Sequence, residues 1–191
     1  MELVTTIRPK VSLYASIGAV IVNLLAIVPV IFTGSWVYLP SLICSLAVID
    51  LAVWLFFVNP KIAFDEGQVV VTNPLRIFRA DWGAIKGFET KFGLAFVTEG
   101  KKFVSWSAPA PSRREVRRLT RDDLKGSGLE NFEFVEPGLI HSSESGSAYW
   151  QFEELRANNT AQTKKVRLSA NWLGLACLIA ILILAYVDLH I

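Results

Sequence analysis

The sequence predicts an α-helical membrane protein of three transmembrane helices that carries a small, mainly-β domain. Three observations predict it. Of the 191 residues, 52% are hydrophobic, and the excess is concentrated in the first 58 residues and the last 24. Three apolar runs there each have the ~20 residues that a helix needs to cross ~30 Å of hydrocarbon. Between them the chain is ordinary globular sequence, with short apolar segments punctuated by turn residues.

The first span is read at Val11–Phe32, which holds no charge, and the second at Leu39–Val58, charged only at Asp50. The third is read at Leu168–Asp188, charged only at its last residue. These runs lack the alternation of barrel strands, so helices are the way to satisfy a backbone in lipid. Trp36, Tyr38, Trp54, Trp172 and Tyr186 stand near the run ends, where amphipathic rings favour the membrane interface. The first run is read as a span rather than a cleaved leader, because its apolar stretch is long and a second run follows after a short loop. Cys44 and Cys177 lie inside apolar runs without a C-x-x-C, which argues against a metal or redox pair.

Lysine and arginine set the expected orientation. Arg8 and Lys10 precede the first run, the loop 33–38 has neither residue type, and all the others fall between residues 59 and 167. Arg8, Lys10, Lys61, Lys164, Lys165 and Arg167 are read as flanking the span ends on one side. The positive-inside rule then predicts a multi-pass protein of the cell membrane, with its N-terminus and β domain cytoplasmic and its C-terminus extracytoplasmic.

Two polar residues fall within the spans. Asn23 and Asp50 lie near the middle of the first and second runs, and counting from their shared outer side places them at similar depth. Three readings fit an ionisable group there: an interhelical Asn23–Asp50 hydrogen bond, a contact with another membrane subunit, and a proton or ion site. A lone carboxylate without a polar relay makes a transporter the weakest of these. Small residues four apart (Ala15 and Ala19, Ser41 and Ser45, Ala170 and Gly174) would let helices approach closely.

The chain divides into a two-helix hairpin (1–58), a β domain with a basic helix (59–128), a segment completing that domain (129–167), and the third span with its tail (168–191). Strands are predicted over 62–65, 68–72, 75–82, 85–90, 93–98 and 102–106, with turns at Gly67, Asn73-Pro74 and Glu99-Gly100. Six short strands at this spacing imply a small antiparallel sheet or barrel. Leu94 and Phe96 on one face of their strand, and Ala95 and Val97 on the other, predict a strand covered on both sides. Trp82, Trp106, Trp150, Phe88, Phe92 and Phe96 are read as core. Residues 140–147 are read as a polar linker, and 148–160 as a helix leading to the third span.

Two spans followed by Asp65-Glu66-Gly67, Asn73-Pro74-Leu75-Arg76, Asp81-Trp82 with Ile85, and Trp106 with Ala108-Pro109 resemble the membrane-anchored bacterial pleckstrin-homology (PH) domain proteins of actinobacteria. In particular they resemble the low-molecular-weight protein antigen type. The resemblance covers about residues 61–111 and the preceding spans. It implies a half-open, PH-like antiparallel barrel, usually closed by a helix, that lies against the membrane as a binding module. A third span departs from the simplest two-span form.

The strongest binding signal is basic. Ser112 to Glu115 forms a capping-box pattern that opens a predicted helix, and Gly126 closes it. On it Arg114, Arg117, Arg118, Arg121 and Lys125 share one face, and Arg113 precedes them. Such a face suits anionic headgroups, worth about 1 kcal/mol per basic group near the surface, or an acidic partner; a merely solvated face is the plain alternative. No catalytic motif occurs. His141 and His190 fall on opposite sides of the predicted membrane. Asp65-Glu66 and Asp122-Asp123 are adjacent carboxylates whose side chains diverge.

Residue types therefore predict no enzyme, cofactor, metal or nucleic-acid partner. They predict a non-catalytic interaction protein whose partners are membrane lipids and other integral membrane subunits. By analogy this is an accessory subunit of the kind found in actinobacterial respiratory reductase–oxidase supercomplexes. A lipid-headgroup binding module is the alternative.

Overall fold

A computed structural model describes residues 3–65, 67–90, 93–110, 143–157 and 164–190. Strand β1 (Leu3–Ile7) leads into helix α1 (Val11–Thr33). A 3-10 turn (Trp36–Tyr38) opens helix α2 (Leu39–Val53), which ends in a π-helical turn (Trp54–Val58). The backbone N–H of Asn59 donates to Trp54 O, closing that turn, and Asn59-Pro60 then releases the chain into strands.

Two helical stretches, Val11–Thr33 and Trp36–Val58, are long and apolar enough to cross a membrane. No residue of α1 is buried, and Leu13, Tyr14, Leu25 and Phe32 are exposed along it. An apolar surface of that extent calls for lipid or a partner.

The strands follow: β2 (Lys61–Asp65), β3 (Gln68–Thr72), β4 (Arg76–Asp81), β5 (Ile85–Glu89), β6 (Ala95–Thr98) and β7 (Lys101–Val104). Helix α3 (Glu144–Ala157), strand β8 (Val166–Ala170) and helix α4 (Trp172–Asp188) complete the chain. The six predicted strands are β2 to β7. The β6–β7 hairpin turns at Gly100, whose φ of +77° is the left-handed region that only glycine enters freely.

The predicted barrel does not close. The strands form two open antiparallel sheets, one in the order β1-β2-β3-β4-β8 and one in the order β5-β6-β7. The cause lies at β4: a 3-10 turn at Trp82–Ala84 breaks its continuation into β5, and β8 pairs with its remaining edge.

Period-two burial builds the core. Ile62 and Phe64, Val69 and Val71, and Phe78 and Ala80 project inward from the larger sheet, against Ile85, Leu94 and Phe96. Leu94, Ala95 and Phe96 are all buried, so β6 and its approach are covered on both faces. Helix α3 fills the mouth between the sheets with Phe152. That ring lies 4.2 Å from Phe88, 4.9 Å from Trp82, 5.8 Å from Phe96 and 6.1 Å from Phe64, centroid to centroid.

Several expectations are corrected. Helix α3 begins inside the predicted polar linker: the Ser143 hydroxyl accepts from Gly146 N at 2.9 Å, and Ser145 is buried. Leu168 to Ala170, read as the start of the third span, pair with Phe78 to Arg76 in the sheet. That leaves α4 with 17 residues, about 26 Å of helix at 1.5 Å per residue. Lys164, Lys165 and Arg167 do not flank a span end. Lys164 precedes Asn171 by about 23 Å of extended strand, and Lys165 is fixed to Asp81 at the far end of β4. Trp106, read as core, is 55% exposed and stacks on Phe56 at 5.9 Å.

Candidate functional site

The strand-to-helix junction fixes how the sheets sit on the helices. Asn171 caps α4 by accepting from Gly174 N at 3.2 Å. Its amide nitrogen donates to Asn73 O at 3.0 Å and Pro74 O at 3.1 Å, and its backbone N–H donates to Leu75 O. Asn73 extends this link to the smaller sheet: its Nδ2 donates to Val104 O at 2.8 Å, and its Oδ1 accepts from Trp106 N at 3.0 Å. The β3–β4 turn thus joins α4, both sheets and, through Trp106, the end of α2.

A second polar cluster ties α4 to α2 at their other ends. Ser41 and Ser45, one helical turn apart, donate to the two carboxylate oxygens of Asp188 at 2.6 and 2.7 Å. Between the clusters, Cys177 Sγ donates to Leu51 O at 3.4 Å. Helices α2 and α4 therefore run antiparallel side by side, with the sheets at one end and Asp188 at the other.

Asn23, halfway along α1, and Asp50, in the last turn of α2 before the π-helical turn, are brought together. Asn23 Nδ2 donates to both carboxylate oxygens of Asp50, at 3.2 and 3.0 Å. Asp50 is exposed on the outside of the helices, and Asn23 is half-buried. Asn23 Oδ1 is buried without a hydrogen-bond partner. Asp50 lies about 12 Å along the helix axis from Val58, and Asn23 about 15 Å from Thr33. The carboxylate thus stands on the apolar outer surface with one amide for company.

A third polar region lies at the end of the sheets far from the helices. Gly83, Ala84, Lys86, Thr98, Glu99, Lys101, Lys164 and Val166 line a depression of about 270 Å³. The Lys86 amine donates to Glu99 at 2.6 Å, which holds the Glu99 carboxyl below its usual range, with the charge of Lys164 adding to the effect. Lys102 and Glu89 pair nearby. Each of these paired groups is exposed to solvent, so water and salt screen the pairs.

The predicted basic face of Arg113, Arg114, Arg117, Arg118, Arg121 and Lys125 lies outside the described residues, as does His141. The His190 ring lies tilted against Tyr186, with centroids 4.2 Å apart. Among the described residues no three His, Cys, Asp or Glu side chains gather as metal ligands.

Sequence reasoning missed Asn171, Asn73 as a bridge, and the Asp188–Ser41–Ser45 cluster. One signal was available: Asn171 stands immediately before an apolar run, where a helix cap belongs. The partners of Asp188 are remote in sequence and carry no such mark.

No known protein family, curated protein or solved structure matches the chain.

Proposed function

We propose that this chain is a non-catalytic integral membrane interaction protein, an accessory subunit that docks within a larger membrane complex. The observation that carries the reading is Asp50. In a bilayer, an ionised side chain at a helix centre costs about 2.5–3.5 kcal/mol even on the most lenient scale. Such groups normally face a bundle interior or a partner. Asp50 is instead exposed on the outer surface of the helices, with Asn23 of α1 as its hydrogen-bond partner. A subunit seated on that face would take the carboxylate out of lipid.

Two further features support the reading. Strands β1 and β2 pair, so the residues before α1 and after α2 share one side of the proposed membrane. Arg8, Lys10 and Lys61 stand there, and the positive-inside rule makes that side cytoplasmic. Helix α4 starts from the sheet side and ends beside the first turns of α2, which supports reading it as a third span although it is shorter than the other two stretches. The sheet domain, with the PH-like motif order, would then rest on the cytoplasmic leaflet through Trp106, Phe56 and Trp172.

Purification of the full chain from native membranes in a mild detergent, followed by native mass spectrometry, tests this. Stoichiometric co-purifying membrane subunits are expected, and their identity would show whether they are respiratory. A monodisperse chain carrying only lipid would overturn the proposal and favour the lipid-binding alternative.

A further inference from the structure

The donor and acceptor inventory at Asp50 specifies the chemistry of whatever covers it. Asn23 commits its amide nitrogen to both carboxylate oxygens, and its own carbonyl oxygen has no donor. Asn23 Oδ1 is buried, so what the pair presents outward is the exposed carboxylate of Asp50 with unused lone pairs. A cation with several N–H donors complements such a spot.

A second copy of this chain does not supply one. Residues 11–33, 36–58 and 172–188 contain no lysine, arginine or histidine. Two copies packed through this face about a two-fold axis would set carboxylate against carboxylate.

We infer that Asp50 and Asn23 form a docking site for a membrane helix of a different protein that carries arginine or lysine at mid-span. The inference rests on reading this chain as a membrane interaction subunit. Arginine fits best, because its planar fork places two parallel N–H groups on one carboxylate. The cation would meet the face of the carboxylate that Asn23 leaves open.

The test uses the full chain, labelled with a fluorescence donor, in phosphatidylcholine vesicles. The probes are acceptor-labelled synthetic transmembrane peptides: tryptophan-flanked polyleucine with a central arginine, a central glutamine, or leucine throughout. The arginine peptide is expected to associate at least ten-fold more tightly than the leucine peptide. Asp50→Glu should retain most of that preference. Asp50→Asn, which keeps the shape of the side chain, should abolish it without changing the protein's elution volume. Equal association of the arginine and leucine peptides would overturn the inference. So would a glutamine peptide that matches arginine, or energy transfer between two labelled copies of this chain that depends on Asp50. If subunits co-purify with wild type and equally with Asp50→Asn, the docking site is wrong and the subunit role stands. If wild type purifies alone yet prefers the arginine peptide, the reverse holds.

Discussion

Gly174 sits where the backbones of α4 and the β3–β4 turn meet. A Cβ built on it would lie 1.7 Å from Pro74 O and 2.9 Å from Pro74 C. Both are backbone atoms, so no side-chain rotation relieves the clash, and alanine would push the first turn of α4 off the sheets. The shift would also pull Asn171 away from the carbonyls of Asn73 and Pro74. Gly174→Ala is therefore expected to cost about 3 kcal/mol, the upper end for overpacking. Thermal unfolding in detergent would measure the loss, and unchanged stability would show that the junction has slack. In the sequence Gly174 reads only as half of a small-residue pair with Ala170. Its real constraint comes from a turn a hundred residues earlier, which no local pattern announces. Asn23 and Asp50 are the opposite case: each is the polar residue nearest the centre of its apolar run, so counting from the shared loop brings them level.

At the level of elements, helix α3 closes the core with one ring. Phe152 is fully buried and touches aromatic side chains from both sheets. Phe152→Ala is expected to destabilise the sheet domain by about 3–5 kcal/mol, and near-UV circular dichroism should lose the signal of the packed rings. The helix was partly legible, but its start was not: Ser143 to Ser147 read as a polar linker, because a serine that caps a helix and a serine in a loop look alike without the fold. The strands β2 to β7 were legible from alternation and turn residues. Strands β1 and β8 were not. Five residues beside an apolar run give too little pattern, and β8 is exposed along most of its length, so the usual inward-outward alternation of burial is missing. Because β8 rather than β5 pairs with β4, the six predicted strands do not lead to a closed barrel.

For the whole molecule, the proposed membrane topology predicts sidedness. With Cys44 and Cys177 replaced by serine, a cysteine introduced at Lys102 should resist an impermeant thiol reagent applied to intact cells. One at His190 should react. The reverse pattern would place the sheets outside and remove the basis for cytoplasmic contacts. The apolar runs themselves were fully legible, since 20-residue apolar stretches need no tertiary information. The limits of the third were not, because pairing with β4 drew its first three residues into a strand.

The pairing of β1 with β2 across the α1–α2 hairpin has a consequence for how the protein is made. A ribosome releases β1 first, but its partner emerges only after both apolar helices have left the exit tunnel. The larger sheet then stays one strand short until β8, the last strand synthesised. Assembly of the domain is thus a late event that follows synthesis of the hairpin. A shortened chain starting at Lys61 would bare the hydrogen-bonding edge of β2 and invite sticking between copies.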